Sequence, residues 1–204
     1  MKINPTDLDR IQAHDLFMSI IVPRPISFIS TVGADGVYNI APFSSLASIG
    51  LKPPRVCFYM GLKQDGSKKD TLINIEFSKS FVVNVVDESI VEAMNHASAE
   101  YPSDVDEFKE VGLTSAKSDL VNAPRLAESP VNMECNLVQI LAFGDDPIDG
   151  YLIIGKVELV HIKDPFWAGN HVDPDKLKAI GRLGGRFYCN TTNIFGLKQA
   201  TISS

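Results

Sequence analysis

The chain reads as a mainly β protein, a closed or nearly closed antiparallel barrel with a few short helices around it. Three observations predict this. Six or more runs rich in β-branched and aromatic residues are separated by short turn signals. Helical spacing is confined to a few short stretches. The strands are not regularly separated by helices and no GxGxxG follows a strand, which argues against a doubly wound parallel sheet.

In chain order, residues 6–21 predict a helix with Thr6 or Asp7 as N-cap and Leu8, Ile11, Leu16, Phe17 and Ile20 on one side. Pro23 and Pro25 end it and force an extended path. Residues 26–32 predict a strand, Gly33-Ala34-Asp35-Gly36 a turn, and Val37-Tyr38-Asn39-Ile40 its hairpin partner. Pro53-Pro54 launch a strand over 56–60, and residues 63–67 form a polar loop. Asp70 reads as a cap before the helically spaced Leu72, Ile73 and Ile75. Residues 81–86 predict a central strand and residues 88–97 a surface helix. Residues 101–130 form a long excursion rich in Pro, Ser, Asp and Asn, the kind of segment that builds lids or walls. Residues 134–143 and 151–163 are the last long strands, split by a turn at Asp145-Asp146-Pro147, and residues 175–180 predict one or two helical turns. No internal repeat interrupts this order, and 204 residues bury a good core in one domain, so residues 1–204 are read as a single domain.

Composition narrows the function classes. A net charge of −6 with no block of like charges gives no basic face for nucleic acid. No apolar run approaches membrane-spanning length, and the first residues carry no apolar secretory stretch. The three cysteines, Cys57, Cys135 and Cys189, are odd in number and form no CxxC pair, so they read as small apolar residues in a reduced, cytoplasmic setting. The four histidines show no metal-ligand spacing with each other or with a cysteine, so no metal site is expected.

Three segments carry the chemistry. In Asn39-Ile40-Ala41-Pro42-Phe43-Ser44-Ser45-Leu46-Ala47-Ser48, Pro42 cannot donate to a sheet ladder, so the strand is an edge or bends there. A bend leaves backbone groups free, and the small and hydroxyl residues beside it let a flat ring approach. A barrel-edge strand with a proline bulge and hydroxyls facing water accounts for the same residues. In Lys69-Asp70-Thr71, a helix N-terminus and a lysine suit a phosphate, with the Asp70 carboxylate expected on backbone N–H groups; a plain N-cap beside an exposed lysine is the alternative. Arg24, between two prolines, can grip a phosphate or carboxylate, or pair with an acidic neighbour.

Read together, Pro23-Arg24-Pro25, Asn39-Ile40-Ala41-Pro42-Phe43-Ser44, Pro53-Pro54, Lys69-Asp70-Thr71 with Asn74-Ile75, Phe81-Val82-Val83-Asn84, Glu107-Phe108, Pro124-Arg125-Leu126-Ala127-Glu128-Ser129-Pro130, Glu134-Cys135 and Arg182-Leu183-Gly184-Gly185 span nearly the whole chain. In this order they resemble the flavin reductase-like, FMN-binding split-barrel family, in the branch that includes flavoredoxin-like proteins. The resemblance implies a Greek-key split β-barrel, a homodimer, and FMN in a groove near the dimer interface. It places Phe43, Ser44, Ser45, Leu46, Ala47 and Ser48 at the ring edge and ribityl chain. Arg24, Ser30 and Thr31 follow along the same groove, with Asn39 in the same segment, and Lys69, Asp70 and Thr71 lie near the phosphate.

The reaction implied is hydride transfer from NADH or NADPH to FMN, with electrons passed to an acceptor. The cofactor supplies the electronics, so no catalytic acid–base pair is required. An FMN-holding electron carrier reduced by a protein partner is the alternative, and a split barrel without flavin is a third. Smaller flavin reductases of the superfamily carry a histidine beside the C-terminal glycine pair. Here the neighbours are Leu183 and, after Tyr188, Cys189, and Tyr188 is the residue expected to stack on the ring instead.

Overall fold

The computed structural model describes residues 1–144, 150–198 and 200. The expected turn at 145–147 lies outside the described residues.

The N-terminal segment makes a 3-10 turn, Pro5–Asp7, and then helix α1, Arg10–Ile20. The cap is Asp9, not Thr6 or Asp7. Its carboxylate accepts the Gln12 N–H at 2.8 Å, and the Gln12 side chain accepts the Asp9 N–H in return. A second correction concerns its apolar side, because no residue of α1 is buried.

Ten strands follow in step with three helices. They are β1 (Arg24–Pro25), β2 (Ser27–Val32), β3 (Tyr38–Phe43), β4 (Ala47–Leu51) and β5 (Pro54–Met60), then α2 (Asp70–Ser78), β6 (Ser80–Val85), α3 (Val91–His96), α4 (Glu107–Glu110), β7 (Ser115–Ala116), β8 (Arg125–Leu126), β9 (Val131–Ala142) and β10 (Tyr151–Ile162). The chain ends with α5 (Pro174–Leu177), β11 (Ile180–Arg182) and β12 (Tyr188–Asn190). The helical reading of 175–180 therefore holds only to Leu177, because Ile180 already pairs with Asn190. Strand β4 was not legible in the sequence. Its residues are mostly exposed and it is ordered by its ladder with β5.

Seven strands form one antiparallel sheet in the order β3-β2-β6-β9-β10-β5-β4. Phe43 on β3 meets Phe58 on β5 with ring centroids 5.4 Å apart, so residues from distant positions in the sheet share one interior. That interior holds Ile29, Phe58, Phe81, Val83 and Ile153, with Leu72 and Ile75 of α2. The opposite face carries a second core of Phe28, Ile40, Met94, Phe108 and Leu126. Alternation along β2 explains the division: Phe28 goes out and Ile29 goes in. Both faces are covered, which is why β2 and β6 are buried along all but their last residue.

The 101–130 excursion is what covers the outer face. Phe108 and Leu126 enter the second core, and the Asn84 side chain accepts the Leu126 N–H at 2.9 Å while donating to Phe28 O at 2.9 Å. The β-bulge at Ile154/Gly155 lets β10 pass Phe81. A Cβ on Gly155 would stand 2.4 Å from Phe81 Cζ.

Candidate functional site

Three cavities lie in a row along edge strand β3. The middle one, about 120 Å³, is walled by Pro42 and Phe43, by Lys69, Asp70 and Thr71 at the start of α2, and by Tyr101 and Glu107. A second, about 320 Å³, shares Pro42, Phe43 and Ser98 with it and runs under α1 to Arg182 and Tyr188. A third, also about 320 Å³, shares Asn39, Asp70 and Glu107 with the middle one and runs beside the β2–β3 turn. Pro42 sits on an edge strand opposite Phe28, as its missing N–H requires.

At the start of α2, Lys69 is the N-cap residue and no side chain caps the helix. Asp70 does not cap it either. Its carboxylate pairs with Lys63 Nζ at 2.8 Å, which corrects the expectation that it would bond backbone N–H groups. Lys69 Nζ stands 3.7 Å from Glu100. Thr71 Oγ1 accepts from Asn39 Nδ2 at 3.1 Å, tying α2 to β3. An uncapped helix start with two ammonium groups beside it is an arrangement that fits a phosphate.

Several expected site residues sit elsewhere or are already engaged. Ser30 and Thr31 do not line the groove. Both are fully buried; Ser30 Oγ donates to Pro124 O, and Thr31 Oγ1 accepts from Asn74 Nδ2 at 3.1 Å. Arg24, 7% exposed, reaches the second cavity, but most of its guanidinium is used within the protein. It donates to Met18 O, to Ile21 O at 3.0 Å, to Leu183 O at 3.0 Å and to Ser44 Oγ at 3.4 Å. Ser45 Oγ accepts the Tyr59 N–H at 2.8 Å and donates to Tyr59 O at 3.0 Å, holding the corner between β3 and β4. Leu46 packs on the inner core, and Ala47 and Ser48 are exposed on β4. Tyr188 lines the second cavity with the Arg182 guanidinium over its ring at 4.4 Å, so that one face is already taken by a cation.

Sequence reasoning missed three groups here. Glu107 is buried at the junction of two cavities, and its carboxylate accepts the Ile40 N–H at 2.6 Å. Burial pushes its pKa up to about 7, Asp70 and Asp106 add to the rise, and the Ile40 N–H and Lys63 oppose it. Lys63 and Arg182 are the other two. Glu107 and Arg182 stand in short motifs that gave them no role, and each of the three acquires its place through chain segments far apart in sequence.

Away from the groove, Glu134, His161 and Asp119 come together. Glu134 is fully buried and accepts N–H groups from Asp119, Leu120 and Val121 at 2.9, 2.6 and 3.2 Å, and the His161 Nε2 contact is 2.6 Å. Its oxygens are satisfied by the protein, so the cluster reads as a clasp on the excursion. Cys57 and Cys135 are buried and all three cysteines are free.

The family model described as "Flavin reductase like domain" matches residues 18–171. An uncharacterized protein of Halalkalibacterium halodurans is 37% identical over 206 residues, covering 100% of this chain and 98% of that protein. Among solved structures, nitrilotriacetate monooxygenase component B from Bacillus cereus superposes with a TM-score of 0.92 at 31% identity, covering 97% of this chain and 98% of that one. The 2-nitrobenzoate 2-nitroreductase of Pseudomonas fluorescens superposes with a TM-score of 0.89 at 28% identity, covering 98% and 97%. Among the described residues, no helix is long and apolar enough to cross a membrane.

Proposed function

Because the chain belongs to the flavin reductase-like family of split-barrel proteins, we propose that it is an FMN-binding oxidoreductase that draws on NADH or NADPH and serves an electron acceptor. The observation that carries this reading is the continuity of the groove. A phosphate-suited helix start and a larger cavity are joined along a single wall made by Pro42 and Phe43.

FMN, when bound, supplies two-electron chemistry between a nicotinamide and the acceptor. The chain's own residues bind and orient. Lys69 and the first turn of α2 face the phosphate end, with Asp70 holding Lys63 alongside and Thr71 fixing the helix to Asn39. Phe43 and Pro42 exclude water along the ring side. Ser44 to Ser48 form the corner that sets this wall, Ser45 by its two bonds to Tyr59 and Leu46 by packing on the core. Arg24 holds the end of α1 and the β11–β12 turn over the far cavity.

A homodimer is part of the same reading. The exposed Phe17, Ile20 and Ile21 at the end of α1, and Phe195 and Leu197 in the tail, are large apolar side chains that a second copy would cover, which supports it.

The test is spectroscopic. Purified protein is reconstituted with FMN and desalted, and NADH and NADPH are added separately without oxygen. A retained flavin band that bleaches with either nucleotide is the expected result. A retained band that neither nucleotide bleaches would favour an electron carrier reduced by another protein. Loss of the band, with no NAD(P)H oxidation in excess FMN, would overturn the reading.

A further inference from the structure

The cavity under α1 holds two guanidinium groups with no carboxylate of their own. Among the described residues, neither Arg24 nor Arg182 forms an ion pair with Asp or Glu. Asp15 also lines the cavity, but it is largely exposed and lies 3.3 Å from His14. Arg24 and Arg182 face each other across the β1–β11 ladder and both line the cavity, and the Arg182 charge adds to the larger effect of burial in lowering the pKa of Arg24. Two like charges placed at one cavity are stabilised by an anion between them.

The donors are unevenly used. Arg24 is committed to three backbone carbonyls and Ser44. Arg182 donates to Tyr188 Oη and to Gly185 O, two uses for a fork that carries five N–H groups. Arg182 is therefore the guanidinium with capacity for a ligand. Its guanidinium carbon lies 4.4 Å from the centre of the Tyr188 ring, which places the group against that wall of the cavity. The remaining wall is mixed: Met18, Ile26, Phe43 and Met94 give it an apolar stretch, and His14, Asp15, Ser44, Asn95 and Ser98 are polar. A cationic fork beside an apolar stretch of wall suits a ligand with an anionic head and an apolar body.

We propose that this cavity is a binding site for a small organic carboxylate, held by Arg182 with its apolar body against Phe43 and Met94. Its position follows from the shared wall, since Phe43 also lines the middle cavity. Only the adjacency to flavin rests on the function proposed above; the anion site itself stands on Arg182 and the cavity it lines.

The experiment is calorimetric titration of the full chain, with and without saturating FMN, using benzoate, the neutral isostere benzamide, and inorganic phosphate. Benzoate is expected to bind, benzamide at least about tenfold more weakly, and inorganic phosphate more weakly than benzoate. Arg182→Gln is expected to weaken benzoate at least about tenfold, and Arg182→Lys to recover part of the loss. Equal binding of benzoate and benzamide, or no benzoate binding up to tens of millimolar, overturns the proposal. Phosphate binding as tightly as benzoate overturns the carboxylate class. Should Arg182→Gln fail to fold, the three ligands on the unmodified chain still decide. FMN titration of the same samples separates the two readings: benzoate binding without FMN binding leaves this site standing and removes the flavin function, and the reverse removes only this site.

Discussion

The Glu107 carboxylate accepts the backbone N–H of Ile40 at 2.6 Å, joining the 101–130 excursion to the strand that walls the groove. Its pKa is raised from 4.5 to about 7. The native state then holds a proton that the unfolded chain has released between those values, so stability falls as pH rises from 4.5 to 7 and levels above it. The effect is at most about 3 kcal/mol. Glu107→Gln keeps an acceptor for Ile40 and removes the titration. Urea midpoints between pH 5 and pH 8 should fall for the unmodified chain by clearly more than for the variant; parallel curves would refute this.

Glu134 behaves in the opposite sense. Burial opposes its ionised form, but bonds from the Asp119 and Leu120 N–H groups and from His161 outweigh it and lower its pKa below 4.5. Its contribution is present above pH 4.5 and is lost as pH falls through the lowered native value. Glu134→Gln should destabilise the chain by about 1–3 kcal/mol at neutral pH, because the new amide turns donors toward backbone donors. The variant's acid unfolding should also be less steep. An unchanged thermal midpoint would show that the clasp contributes nothing.

Lys69 is expected to act on the phosphate alone. Lys69→Met should weaken FMN about tenfold and leave riboflavin unchanged, with the difference narrowing at high salt. Fluorescence titration with both ligands measures this, and equal losses for FMN and riboflavin would place Lys69 in the fold instead of at the phosphate.

Gly155→Ala should destabilise by about 1–3 kcal/mol, because the new Cβ meets Phe81 Cζ at 2.4 Å. Phe81→Leu in that background should recover part of the loss, measured as a double-mutant cycle in urea. Additive losses would show that the two sites do not meet.

The sequence by itself determined the β-rich order of the chain, an edge or a bend at Pro42 and a helix opening near Asp70. These depend on alternation, a missing N–H and the helical spacing of apolar residues, all written within a few residues of one another. Its short motifs, in order, also carried the family. The hydroxyls of Ser30 and Thr31, expected along the groove, face Pro124 and Asn74 in the fold. The sequence could not show that Arg24 is consumed by carbonyls, one of them 159 positions away, or that Arg182 keeps N–H groups to spare beside it. Nor could it show Glu107 beneath Ile40, 67 positions distant. Only the tertiary structure decided which polar groups are spent on the protein and which remain for a ligand, because burial and charge proximity arise between segments that no local pattern connects.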